Sequence, residues 1–259
     1  MPPGLKLETR PIHFFKYDEW LHYSLLNTAA LGGSLLRDRR IDFDSPQVAR
    51  VWKLLAKAAL SGHVCMLKCF STAAMMTGET LCGVESTASV LYFKDTMTFP
   101  DNTHMPLRLR ILPVPHFSDG EALAIQRGSG LCVPKSTEKK EKAAAVFAEW
   151  LTEEEHNLPF VMTAGYLPVK SDAYERIRDP KNIVSPTPNA AELYTTVNRI
   201  RDNYRFWVPP YFDGYGELEK KFCEAQMRLF TRYRESCAGK PVSQRTLDAM
   251  FEEFRAAME

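Results

Sequence analysis

The stretch Gly128–Ile177, GSGLCVPKSTEKKEKAAAVFAEWLTEEEHNLPFVMTAGYLPVKSDAYERI, decides how this chain is read. Its first glycines break an apolar stretch, ALAIQRGSGLCVP, that begins at Ala122. TEKKEKAAAVFAEWLT then reads as an alanine-rich helix, with Val146, Phe147, Trp150 and Leu151 as its apolar residues. Thr152 and Glu155 have the spacing of a capping box for a second helix, EEEHNLPFVMTAG. The acidic run Glu153–Glu155 beside His156 suits that helix start, where carboxylates meet the positive end of the dipole. GYLPV is a brief extended segment.

On the N-terminal side, Tyr17, Trp20, Leu21, Leu25 and Thr28 recur at helical spacing, predicting a helix from about Phe15 to Leu31, stopped by Gly32-Gly33. Ser45-Pro46 opens a second helix, Ser45 as cap and Pro46 at the first helical position. Its stripe is Val48, Val51, Trp52, Leu55, Ala58 and Ala59, and Gly62 ends it. STAAMMTG is a short helix, TLCGVES a buried strand, ESTASVLYF a helix start capped by Ser86 or Thr87, and LRLRILPVP a strand up to its prolines. On the C-terminal side, Thr187-Pro188 starts a helix through about Asn203. RFWVPPYFDGYG is an aromatic loop, and long helices follow at about Glu217–Cys237 and Ser243–Ala257. Short strands among helices define an α/β protein with a helical C-terminal part.

Composition narrows the function. In 259 residues, 33 Lys+Arg against 32 Asp+Glu leave a formal charge of +1, against the basic excess of a general nucleic-acid binder. No apolar run is long enough to span a membrane as a helix. The six cysteines lack the density of a disulfide scaffold; Cys65 and Cys69 find no partner at zinc spacing, so buried free thiols are expected and no metal. No GxSxG elbow, Walker A loop, HExxH or GxGxxG is present, so no catalytic residues and no cofactor are expected.

The order of landmarks resembles the family 1 extracellular solute-binding proteins, the capture subunits of ABC importers. LGGSLL with IDFDSPQVARVWKLLAKAALSG is similar to the family's GG-turn, F-D-S-P cap and following helix. MMTGETLCGVESTAS resembles the helix, Gly turn and strand that lead to a ligand-facing loop. The opening stretch resembles the longest signature: a Gly-rich strand, V-x-K-S, a helix ending W-L-T, and G-Y-L-P-V. The resemblance covers roughly Leu31–Glu259 and is nearest to binders of sugars and of glycerol phosphate. It implies a periplasmic-binding-protein-like (type II) α/β fold of two lobes closing over ligand. Residues 1–117 are then a second-lobe portion, 118–170 the hinge and return segment of the first lobe, and 171–259 the second-lobe C-terminal helices. Most of the first lobe has no counterpart, so a C-terminal portion is expected. The helix faces of the return segment then lack their usual cover, which invites self-association through 123–170.

The resemblance also nominates ligand contacts. Glu85, Ser86 and Thr87 sit where a strand gives way to a helix; capping and ligand contact are compatible roles there. Gly128 and Ser129 resemble the strand whose backbone approaches ligand. The neighbouring Arg127 reads as a solvated surface residue. Tyr166 resembles a ligand-contacting tyrosine, with a packing role in the turn as the alternative. Trp207 and Tyr211 are candidates to stack on sugar rings, against a packing role. Asp213 stands where the glycerol-phosphate branch carries an arginine, which favours a neutral carbohydrate over a phosphate. The expected function is substrate binding for an ABC importer of a carbohydrate or related polyol, with membrane permease subunits as partners, outside the cytoplasm. The first thirty residues show no export signal, which motivates the rival, an intracellular interaction or regulatory module reusing the lobe.

Overall fold

The computed structural model describes residues 12–184 and 189–259. The order is β1 (His13–Tyr17), α1 (Trp20–Ala30), β2 (Leu36–Arg37), β3 (Arg40–Ile41), α2 (Pro46–Leu60), α3 (Ser71–Met76) and β4 (Thr80–Val84). A 3-10 turn at Thr87–Tyr92 precedes β5 (Thr96–Thr98), β6 (His104–Pro106), β7 (Leu123–Ile125), α4 (Glu138–Thr152), α5 (Glu154–Ala164) and α6 (Ser171–Arg176). After a 3-10 turn at Pro180–Asn182 come α7 (Asn189–Asn203), β8 (Arg205–Trp207), α8 (Tyr215–Ser236) and α9 (Gln244–Met258). Among the described residues the strands form pairs: β1 with β4 and β7 with β8 in parallel, β2 with β3 and β5 with β6 antiparallel.

The largest core joins the two ends of the chain. Val48, Val51, Trp52, Leu55, Ala56 and Ala59 form the buried face of α2, and most of it packs on α1 and on Phe222, Phe230, Phe251 and Phe254 of α8 and α9. Trp52 lies stacked on Phe254, ring centroids 5.0 Å apart. Each such side chain removed from water contributes about 1.5–3 kcal/mol before entropy is counted. A separate cluster gathers Leu158 and Met162 of α5, Ala173 and Ile177 after it, and Ala190 and Tyr194 of α7. It spans the 170/171 boundary. A third, Val90 with Leu193 and Val197, fixes the 3-10 turn to α7.

Several local expectations change. The predicted first helix is two elements: Phe15 and Tyr17 lie in β1 because β4 offers a parallel partner, and α1 starts only at Trp20. TLCGV is a strand, but with one neighbour its other side is open, and Leu81 is 65% exposed. Residues 107–116 form no strand; α7 side chains hold them instead, through Thr196 Oγ1 to the Ile111 carbonyl (2.7 Å) and Glu192 accepting from the Ile111 amide (3.2 Å). The β5–β6 hairpin just before was not anticipated. Residues 128–133 are exposed irregular backbone, not a Gly-rich strand, since no strand lies beside them. The capping box fails: Glu153 is the N-cap of α5, and the Thr152 hydroxyl donates back to the Glu149 carbonyl (2.8 Å). The start expected at Thr187-Pro188 lies outside the described residues.

Candidate functional site

The two parallel pairs point their carboxyl ends toward a common edge. Tyr17 is opposite Val84, so the next residues, Asp18 and Glu85, leave β1 and β4 side by side. Both carboxylates turn to the start of α3. Asp18 Oδ2 accepts from the Ser71 amide (2.7 Å) and hydroxyl (2.9 Å); Glu85 Oε1 accepts from the Thr72 amide (2.8 Å). Lys16, buried, neutralises Asp18 at 3.0 Å and donates to the Leu67 carbonyl (2.8 Å). Glu85 Oε2 accepts from Ser89 (3.0 Å). Burial holds the Glu85 carboxyl above its usual value, with these hydrogen bonds opposing.

The second pair reaches the same edge from the other side. β7 and β8 bring Ile125 opposite Trp207, and Arg205 forks onto Glu121 (2.5 and 2.8 Å). Arg127, two residues past β7, is ion-paired to Glu19, two residues past β1. That hydrogen bond keeps the Arg127 guanidinium firmly protonated. Ligand sites in open α/β sheets lie outside the carboxyl ends of parallel strands, where side chains from separate elements converge.

Against this frame the predicted residues fall into two groups. In the first, Glu85 and Ser86 lead into Thr87, against which the turn preceding Tyr166 is seated: a Cβ on Gly165 would stand 2.9 Å from the Ala88 Cα and 3.1 Å from the Thr87 carbonyl oxygen. Gly165, at φ +67°, therefore both ends α5 and lets its turn seat against the 3-10 turn. Ser86 is the N-terminal flanking residue of that turn and is exposed; its hydroxyl lies 3.5 Å from Ser89 Oγ and bonds no backbone amide. The Tyr166 carbonyl accepts from Tyr194 (3.1 Å), while its ring is partly exposed beside Phe160.

The other group follows β7 and β8. Trp207 is half-buried between the largest core and Leu26, Ala30 and Leu123. Tyr211 is 89% exposed and stacks on Tyr215 (5.3 Å), and Asp213 is exposed beyond it. Gly128 and Ser129 are exposed, and a side chain at Gly128 would meet nothing within 4 Å.

Sequence reasoning missed Asp18, Glu19 and His22, which link the groups. The signal was HFFKY, rich in β-formers, running straight into Asp-Glu. The surface is open: hollows of about 440 Å³ between α8 and α9 and about 360 Å³ beside α7 include none of the predicted residues. Glu153, Glu155 and His156 have ligand atoms within 4.8 Å of one another, an exposed helix start with the His156 ring stacked on Trp150.

The frame is a periplasmic-binding-protein-like α/β fold, with carboxylates, hydroxyls and aromatic rings at the ends of its parallel strands. Residues 8–191 match the family model of the bacterial extracellular solute-binding proteins, and the chain belongs to that family. In fold it is similar to maltose-bound MalE3 of T. maritima, at 17% identity and TM-score 0.61, covering 95% of this chain and 60% of that one. It is likewise similar to the sugar-binding protein MalE of Xanthomonas citri (15%, TM-score 0.63, 97% and 58%). A third is UgpB of Mycobacterium tuberculosis in complex with glycerophosphocholine (16%, TM-score 0.55, 95% and 58%). The chain thus spans about 60% of the length of these structures. Sequence comparison with curated proteins finds no match.

Proposed function

We propose that the chain serves as the substrate-binding component of an ABC importer for a carbohydrate or related polyol, binding without catalysis, outside the cytoplasm, with membrane permease subunits as partners. The observation that carries this is the convergence of Asp18, Glu19, Glu85 and Arg127 at the carboxyl ends of both parallel strand pairs. The Ser71 and Thr72 amides at the start of α3 are already taken by Asp18 and Glu85, and these carboxylates repel an anion there. Carboxylates with spare lone pairs suit sugar hydroxyls. Trp207 and Tyr211 supply apolar ring faces, Ser86, Thr87, Gly128, Ser129 and Tyr166 the flanking contacts, and Asp213 a further acceptor. Maltose in one neighbour and glycerophosphocholine in another mark the two solute chemistries to compare.

The division into 1–117, 118–170 and 171–259 belongs to the same proposal, as does self-association through 123–170. The test is an NMR shift titration of this chain with maltose, a longer glucan and glycerophosphocholine, which reads weak binding and locates it. The sugars are predicted to move signals of Glu85–Thr87, Tyr166, Trp207 and Tyr211 more than the phosphodiester does. Shifts confined to other surfaces, or a phosphodiester preference, would overturn the reading.

A further inference from the structure

Helix α4 keeps an uncovered face whose charges are sorted by end. Lys139, Ala143, Val146, Trp150 and Glu153 follow one another at alternating steps of four and three residues, the repeat that keeps one seam of a helix turned to a partner helix. All five are exposed. Phe147 stacks on Trp150 (5.7 Å) and Trp150 on His156 (4.1 Å), so the apolar strip continues past the end of the helix. Glu153 and Glu155 lie 3.7 and 3.2 Å from His156 Nε2, which sets carboxylates at that end of the strip. Glu149 is exposed in the last turn of α4. The other end is basic, with Lys139, Lys140 and Lys142 exposed. Of the acids there, Glu141 accepts from the Ser136 amide (2.7 Å), and Glu138 reaches only Lys142 (2.7 Å), a pair exposed on both sides. Residues 143–148 between the two ends carry no charge.

We propose that α4 pairs with α4 of a second copy of this chain, antiparallel about a twofold axis, apolar centre on apolar centre and basic end on acidic end. An axis at Val146 sets Lys139 of each copy opposite Glu153 of the other, and Lys142 opposite Glu149, with Val146, Phe147 and Trp150 enclosed between them. A parallel pair would instead set lysine against lysine and glutamate against glutamate. Like charges opposed in this way are disfavoured, so the charges select direction as well as partner.

The order of charges singles out a second copy as the occupant. A face with opposite charge at its two ends and an apolar middle complements itself when turned end over end, but meets a uniformly acidic or basic surface well at one end only. The helix dipoles also oppose each other in an antiparallel pair. Within one copy, the last turn of α4 holds Glu149 and no basic side chain, against the dipole. In the pair, Lys142 of the other copy supplies the cation. Burial of Val146, Phe147 and Trp150 drives the association, and the flanking ion pairs fix its register. The pairing rests on the self-association reading above and gives it a geometry; it is independent of which solute is bound.

The test is sedimentation equilibrium of the full chain and three variants, from micromolar to near-millimolar protein at neutral pH. No side chain of α4 is buried and Glu153 makes no side-chain cap, so all three are expected to keep the parent's Tm. Lys139→Glu with Lys142→Glu, and Glu149→Lys with Glu153→Lys, should each weaken self-association by about tenfold or more, because like charges then meet at both ends. Mixed together, these two chains should associate as the parent does. The chain carrying all four reversals keeps the parent's net charge and should also associate like the parent, which bulk charge repulsion would not single out. A parent that stays monomeric overturns the pairing and the self-association reading together. A parent that associates while either reversed chain associates equally well overturns the pairing alone, as does a fourfold variant that stays weak.

Discussion

Glu85 accepts from the Thr72 amide on one side and the Ser89 hydroxyl on the other, in a half-buried place that raises its pKa. A carboxyl with a raised folded pKa holds more protons folded than unfolded just above pH 4.5, so its contribution falls as pH rises through that window. Glu85→Gln keeps an acceptor for Thr72 and offers Ser89 a donor. It is predicted to be at least as stable as the parent at pH 7, an advantage that disappears near pH 4. Glu85→Ala strands the Thr72 amide and should cost about 1–3 kcal/mol. Denaturant titrations at both pH values check this; equal losses in the two variants at pH 7 would contradict it. Glu85 was legible because strand, acid and hydroxyls are consecutive in TLCGVES. Asp18 was not, because its partner Ser71 lies 53 positions away, a distance no local pattern spans.

Helix ends show which local signals survive folding. Ser45 accepts from the Val48 amide (3.4 Å) and Ser243 from the Thr246 amide (3.1 Å), both at helices whose apolar stripes sit in the main core. Ser45→Ala should cost about 1 kcal/mol. Thr152→Ala should fall within about 0.5 kcal/mol of the parent, since its hydroxyl only returns to the Glu149 carbonyl. Paired Tm measurements separate the two cases. The long helices were readable because 3.6-residue periodicity and caps are written in neighbouring residues. The strands were harder. β1 is five residues that continue a helical spacing, and only β4, far along the chain, makes it extended. Residues 107–112 alternate like a strand but meet the side chains of α7 instead of another backbone.

The whole molecule pairs a well-filled core with a bare extension. No residue of α4 is buried, and Val146, Phe147 and Trp150 are 65%, 54% and 45% exposed, the two rings stacked on each other. If this face drives the proposed self-association, Phe147→Glu with Trp150→Glu should shift sedimentation toward monomer at unchanged Tm; unaltered sedimentation of an associating parent would exclude it. The landmark order made legible both the family and the bare faces of the return segment, because the elements that would cover them have no counterpart in the chain. The main core has a temporal consequence as well. Its first half ends at Val64 and its second begins at Tyr215. During synthesis, α1 and α2 wait for about 150 residues, roughly 8–30 s at about 5–20 residues per second, before α8 even begins to be made. The apolar faces of α1 and α2 are therefore left without their main cover for as long as the intervening residues are being made.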